Sequence, residues 1–337
     1  MSTNEILNKM IRRHLLNIKP SATLAINEKS AQLQSEGQEI FRLGFGQSPF
    51  PVPQSVVETL KEHAPVKDYL PVKGLYALRE AISYWINLRT GNDYTADNVM
   101  VSPGSKELLF LTQTAFDGDL MLLSPSWVSY QPQGMINLKK VITIPSYEEG
   151  GYLLQPELLE KACQNHSGSG KMLLLNYPGN PSGTTYNEDQ LGKLAEVARK
   201  YGVFILSDEI YGELHFKGQH ISIATFYPEG TIISTGLSKW CGAGGWRLGA
   251  FVFPDSLKEL MNVMAMIASE TYTSASAPIQ YAAISAYKGR GDIEEYIRSS
   301  RCILKNIGNY VCNRLQALKI SCPNPDGGFY LFINFEN

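Results

Sequence analysis

From Val99 onward the chain alternates between short apolar runs and longer stretches whose apolar positions recur with helical spacing. NVMV, GDLMLLS, KKVITIP, KMLLLN, VFILSD, TIIST and LGAFVF are rich in valine, isoleucine and leucine, and each is expected to be a strand. Between them, NEDQLGKLAEVARKYG has the marks of a helix: Asn187 can cap its start, Gln190 follows three residues on, and Gly202 closes it. Strands separated by helical crossovers predict an α/β fold with a mostly parallel sheet.

Toward the C-terminus, residues 291–318 read as one long amphipathic helix leading into the strand-like run GGFYLFINF. Toward the N-terminus, ATLAINEKSAQLQSEG reads as a helix and EIFRLGFG as a strand. These segments are expected to build a smaller α+β domain from residues 1–48 and 288–337, beside a large domain of residues 49–287.

Composition narrows the function. A chain of 337 residues with 44% hydrophobic and 18% charged residues is an ordinary folded globular protein. Its 30 basic and 32 acidic residues leave a net charge of -2, with no general attraction for nucleic acid or an anionic membrane, so small-molecule chemistry is expected. No run approaches the length that spans a bilayer, and the stretch up to Pro20 lacks the apolar centre of an export signal; a cytoplasmic location is expected. The five cysteines contain no C-x-x-C pair and the five histidines no metal-ligand spacing, so neither a disulfide framework nor a metal site is expected.

In open α/β sheets ligands gather beyond the carboxyl ends of the strands. The loops there are SPGSKE, SPSWVSY, NYPGNPSGT, SDEIYGE and STGLSKWCGAGGWR. Lys239 lies just past a strand, where its amine would enter a pocket, although a lone lysine carries little weight because most are solvated. Asp208 and Glu209 follow the apolar run VFILS, and a carboxylate buried there needs a cationic partner. A structural salt bridge or cap, or a pairing with a cationic ring nitrogen, both satisfy that need. The prolines and glycines of NYPGNPSGTT fix a rigid loop that aims the amides of Asn176 and Asn180 above the sheet. Gly104, Ser105 and Lys106 open the helix SKELLFLTQTAF, where free N–H groups suit an anion, though such residues also serve as plain caps. GAGGWR lacks the third glycine of a dinucleotide fingerprint, and GSGKM lacks the spacing of a nucleotide P-loop.

In order and spacing these segments resemble the class I and II aminotransferases, which are fold-type I enzymes dependent on pyridoxal 5'-phosphate (PLP). The likeness runs from LGFGQSPFPVP through YLPVKGLYALREAI, VSPGSKELL, PSWVSY, NYPGNPSGT, SDEIY and GLSKWCGAGGWRLG to GGFYLF. It implies the PLP-dependent transferase fold and transfer of an amino group from an α-amino acid to a 2-oxo acid. By the same resemblance Lys239 holds PLP as a Schiff base and later shuttles a proton, and Asp208 pairs with the pyridine nitrogen. Tyr211 and Asn180 would bond the ring's phenolic oxygen, and Trp127 would stack on the ring. The phosphate would rest on the backbone of Ser105 and Lys106, with Ser238 and Arg247 as further donors. Tyr69 matches a tyrosine that reaches this phosphate from a partner subunit, implying a homodimer. Gly46 aligns with a glycine whose backbone approaches the substrate carboxylate.

Members of the family continue past the F-Y-L-F strand into a tail that supplies an arginine for the substrate's α-carboxylate. The chain stops at Asn337, so that arginine and part of the small domain are expected to be absent. Two other outcomes share the same residues: a PLP-dependent lyase, and an idle PLP-binding module lacking the carboxylate clamp.

Overall fold

The computed structural model describes residues 10–335 apart from Phe45, Ser167, Ser169 and Arg290. The seven strands expected of the large domain form: β1 (Val99–Ser102), β2 (Asp119–Ser124), β3 (Val141–Pro145), β4 (Lys171–Asn176), β5 (Val203–Asp208), β6 (Thr231–Gly236) and β7 (Gly249–Val252). They make one sheet in the order β1-β7-β6-β5-β4-β2-β3, parallel throughout except that β7 runs antiparallel to both neighbours.

The helices are α1 (Ala22–Ser35), α2 (Gln54–His63), α3 (Tyr76–Thr90), α4 (Ser105–Ala115), α5 (Tyr130–Ile136), α6 (Pro156–Gln164), α7 (Glu188–Lys200), α8 (Lys258–Ser269), α9 (Ala277–Tyr287) and α10 (Gly291–Ala317). Helix α7 begins as its sequence predicts: the Asn187 side chain accepts from Gln190 N, and Gln190 reciprocates at Asn187 N, each at 2.9 Å. Gly202 follows the helix in the left-handed region at φ +61.

Alternation along β5 shows how the layers are built. Val203 and Ile205 pack with Leu191, Leu194 and Ala198 of α7 and Leu159 of α6. Phe204 and Leu206 point the other way, into a core with Leu108 and Leu111 of α4 and Met261 and Met264 of α8. With helices on both faces, β5 is buried along its whole length, which explains why the central strands read as near-continuous apolar runs. On the first of these faces, beyond β6, Trp85 of α3, Trp240 and Tyr287 of α9 form a third cluster, and Ile293, Ile297 and Leu304 of α10 join it. Among the described residues no helix is long and apolar enough to cross a membrane.

Two expected strands are absent from the described residues. EIFRLGFG is irregular from Glu39 to Gly44 and at Gly46, with Phe41 78% and Leu43 94% exposed; Phe45 lies outside the described residues. GGFYLFINF makes only two single bridges, Gly327 with His215 and Asn334 with Ser321. Strand-like composition forms a strand only where a neighbour takes up its N–H and C=O groups, and neither segment lies along one.

Truncating Leu206, fully buried under α4 and α8, should cost about 2–5 kcal/mol as Leu206→Ala. The capping change Asn187→Ala should cost about 1 kcal/mol. Urea denaturation of the two variants checks both magnitudes and their order.

Candidate active site

The carboxyl ends of β1, β2, β4, β5 and β6 open into a cavity of ≈ 470 Å³. Ten of the eleven residues given site roles by the family resemblance line it: Gly46, Ser105, Lys106, Trp127, Asn180, Asp208, Tyr211, Ser238, Lys239 and Arg247. The eleventh, Tyr69, is 90% exposed and lies outside the cavity of its own chain.

Consecutive residues at the end of an extended strand project to opposite sides, and this separates the two adjacent carboxylates. Asp208 faces the cavity and is 3% exposed. Its Oδ2 accepts from Tyr130 Oη at 2.8 Å; its Oδ1 accepts from Ser234 Oγ at 3.2 Å and from Ile210 N at 3.3 Å. Burial pushes the Asp208 carboxyl above the usual carboxylate range, against the opposing pull of these donors and of the Lys239 ammonium. Glu209 turns away. It lies 2.8 Å from His220 Nε2 and accepts from Ser207 Oγ at 2.8 Å and Ser222 Oγ at 2.6 Å. Glu209 is thus partnered by His220 and two serine hydroxyls, whereas Asp208 is held mainly by neutral hydroxyls, with Lys239 acting across space.

Lys239 follows β6 in a turn closed by the bond from Ala243 N to Leu237 O, 3.1 Å. Its half-buried amine donates to Gly46 O at 2.6 Å and lies 5.4 Å from the centre of the Tyr211 ring. Burial lowers its pKa to about 8; Asp208 opposes that change and Arg247 adds to it. The amine is thus a titrating group near neutral pH.

An anion cradle forms at the start of α4. Gly104 has φ +92, a conformation that glycine adopts freely, and α4 begins at the next residue with the N–H groups of Ser105 and Lys106. A Cβ on Gly249 would overlap the Ser105 backbone nitrogen, so this close approach requires glycine, and one on Gly104 would displace the Arg247 guanidinium. Arg247 itself is in the left-handed region at φ 54, unusual for a residue with a Cβ, and its Nη1 donates to Gly244 O at 2.8 Å. Among the described residues it is the one arginine that lines the cavity. Lys106 Nζ lies 5.2 Å from the Trp127 ring centre, and burial together with Arg247 lowers its pKa.

The loop after β4 uses its two asparagines differently. Asn176 is internal reinforcement, accepting from Asn180 N and donating to Asp208 O, each at 2.8 Å. Asn180 faces the cavity beside Tyr211. Sequence reading passed over three residues. Tyr130 and Ser234 bond Asp208, and Tyr330 places its hydroxyl 2.8 Å from that of Tyr211. Tyr330 also explains Gly46, because a Cβ there would overlap the Tyr330 hydroxyl. The available signal for Tyr130 was its position three residues after Trp127, which brings both onto the same turn with rings 5.2 Å apart.

Fold and site together define an α/β enzyme with its chemistry at the strand ends: a lysine of lowered pKa, a buried carboxylate and a cradle for an anion. A sequence model described as aminotransferase class I and II matches residues 38–337. The chain is 33% identical to aspartate aminotransferase of Geobacillus stearothermophilus, over 96% of this chain and 83% of that protein. It is 30% identical to aspartate/prephenate aminotransferase of Thermus thermophilus, over 96% of this chain and 84% of the other. The solved aspartate aminotransferase of Thermus thermophilus with maleate superimposes with a TM-score of 0.90 at 30% identity, over 96% of this chain and 84% of that one. The chain belongs to the class I and II aminotransferases. It is an enzyme that acts as a transaminase on the PLP-dependent, fold-type I scaffold.

The Lys239 amine should react with a small aldehyde under reducing conditions with a midpoint near pH 8, against about 10.4 for a solvated lysine. Asp208→Asn removes an anion that favours the charged amine, so the midpoint should move down. Mass spectrometry of the peptide carrying Lys239, from the free protein methylated across a pH series, checks both.

Proposed function

We propose that the cavity binds PLP, with Lys239 as its point of attachment, and that the enzyme moves the amino group of an α-amino acid to a 2-oxo acid. The observation that carries this reading is the convergence of Lys239, Asp208 and the Arg247 cradle on one cavity of ≈ 470 Å³. The donor set fits the cofactor. The N–H groups of Ser105 and Lys106, the Ser238 hydroxyl and the Arg247 guanidinium suit a phosphate dianion, and Asp208 suits a protonated ring nitrogen. When bound, PLP supplies a carbonyl carbon that captures amines and a ring that withdraws electrons from the substrate's Cα.

The protein's own contributions follow from the geometry. With a pKa of about 8, Lys239 has a substantial neutral fraction at neutral pH, so it can act as a nucleophile and later carry a proton from Cα. Asp208, buried and held by the hydroxyls of Tyr130 and Ser234, would offer its charge to the ring nitrogen. Asn180 and Tyr211 would face the ring's phenolic oxygen, and Trp127 would cover one ring face. The Gly46 backbone, already bonded to Lys239, would meet the substrate carboxylate. We assign residues 49–287 to a PLP-binding domain and 1–48 with 288–337 to a smaller one. The names of the relatives make L-aspartate the first donor to test.

The 90% exposed phenol of Tyr69 supports a homodimer in which Tyr69 reaches the phosphate of the partner's site. On this reading the protein sediments as a dimer, and Tyr69→Phe releases PLP roughly tenfold more readily, the effect of one charge-assisted hydrogen bond. Equilibrium dialysis checks the second result.

The purified protein with PLP should be yellow, bleach with an amino donor, and regain its colour with a 2-oxo acid. Lys239→Ala should lower turnover by at least about 100-fold. Absorbance spectra with L-aspartate and a panel of other amino acids test this, and failure of every donor to bleach the wild type would overturn the reading. Ammonia release without an acceptor would instead indicate a lyase.

A further inference from the structure

Cys312 lies in α10 and is fully buried; Cys322, in the segment that follows the helix, is 6% exposed. The turn between them reverses the chain. Leu318 N and Ile320 N both bond Leu315 O, at 2.9 and 3.0 Å, and Lys319 takes the left-handed region at φ 62. Just beyond the turn, Ser321 bridges to Asn334 and donates to Glu148, which holds the segment from its other side. The two cysteines, ten residues apart in the chain, are thereby brought to a sulfur–sulfur distance of 3.4 Å. Among the described residues they are the one hydrogen-bonded pair of cysteines, and each sulfur also lies near Pro323 O, at 3.8 and 3.7 Å. Burial, helped by the bond to Cys312, holds the Cys322 thiol above its ordinary range, so it rests as a thiol at neutral pH.

We propose that Cys312 and Cys322 are a modification site, joined as a disulfide by an oxidant of the peroxide class and reopened by thiol reductants. The case is geometric. Packing accounts for two buried cysteines, since a thiol behaves as a small apolar group, but it does not call for the two sulfurs to meet. To bond, they need only close from 3.4 Å to about 2.05 Å. In the first step one sulfur attacks hydrogen peroxide: an S–O bond forms, the O–O bond breaks, and the hydroxide released takes the thiol's proton and leaves as water. The second sulfur then attacks the first; the S–S bond forms, the S–O bond breaks, and a second water leaves with the second thiol's proton. Peroxide gains two electrons and each sulfur gives one. A partner already in contact makes the second step intramolecular, which favours the disulfide over further oxidation. The link fastens the end of α10 to the segment that runs on to Tyr330 in the cavity wall. It uses no residue assigned to PLP and stands apart from that reading.

Trypsin separates the cysteines of this region, because its sites after Arg301, Lys305, Arg314 and Lys319 leave Cys302, Cys312 and Cys322 in peptides 302–305, 306–314 and 320–337. The folded protein is treated with hydrogen peroxide at a dose that oxidises the exposed Cys302, and remaining thiols are blocked with N-ethylmaleimide. Mass spectrometry then reads the denatured, unreduced digest. Peptides 306–314 and 320–337 should appear joined, lighter than their sum by two hydrogens, and should separate after dithiothreitol. Cys322→Ser should leave 306–314 unjoined, and Cys302→Ser should leave the joined pair as abundant as in wild type. Oxidised Cys302 beside unjoined 306–314 and 320–337 would overturn the proposal. So would links that pair the five cysteines indiscriminately, the pattern expected of the chain unfolded in urea.

Discussion

A carboxylate buried at the mouth of the central strand is the constraint around which the site is arranged. Removing the charge of Asp208 from water costs several kcal/mol unless hydrogen bonds and a counter-charge replace the lost hydration. The surrounding elements each contribute part of that replacement: Tyr130 from α5, Ser234 from the neighbouring strand β6, Ile210 from the chain's own continuation and Lys239 from the turn after β6. Strand register makes this possible. Asp208 pairs with Asn176 on one side and Ser234 on the other, so the bonds from Ser234 and Asn176 arise from the sheet itself.

The same alternation that buries β5 on both faces separates two chemistries in two consecutive residues. Asp208 belongs to the cavity, and Glu209 to an enclosed network with His220, Ser207 and Ser222. The Glu209 network ties the end of β5 to the following loop and so braces the strand end from behind. Lys239 and Arg247 are placed by a comparable economy, since one turn after β6 carries both before the chain returns as β7. Burial lowers the lysine's pKa, Asp208 opposes that change, and the Arg247 guanidinium adds to it.

Much of this was legible in the chain. Buried strands must be apolar along their length, so their ends, and the loops beyond them, could be marked from composition alone. Lys239, Asp208, Asn180 and Arg247 stand in those loops within recognisable motifs. What remained hidden depends on tertiary partners. Tyr130 and Tyr330 look like core aromatics until the residue opposite each hydroxyl is known. EIFRLGFG and GGFYLFINF have the composition of strands, but hydrogen-bonded neighbours are supplied by the fold and not by the segment. The hydroxyl partners of Asp208 come from β6 and α5, 26 and 78 residues away along the chain, beyond the reach of any local pattern.

The bond from the Lys239 amine to the Gly46 carbonyl ties the N-terminal segment to the floor of the cavity. The attachment to PLP proposed for Lys239 would use the same amine, so attachment and this tether compete for one group. On that reading, occupancy of the cavity and the contact at Gly46 are thermodynamically linked, each weakening the other. Gly46 is also where the Tyr330 hydroxyl crowds closest. The same small residue thus meets both the C-terminal segment, through Tyr330, and the Lys239 amine.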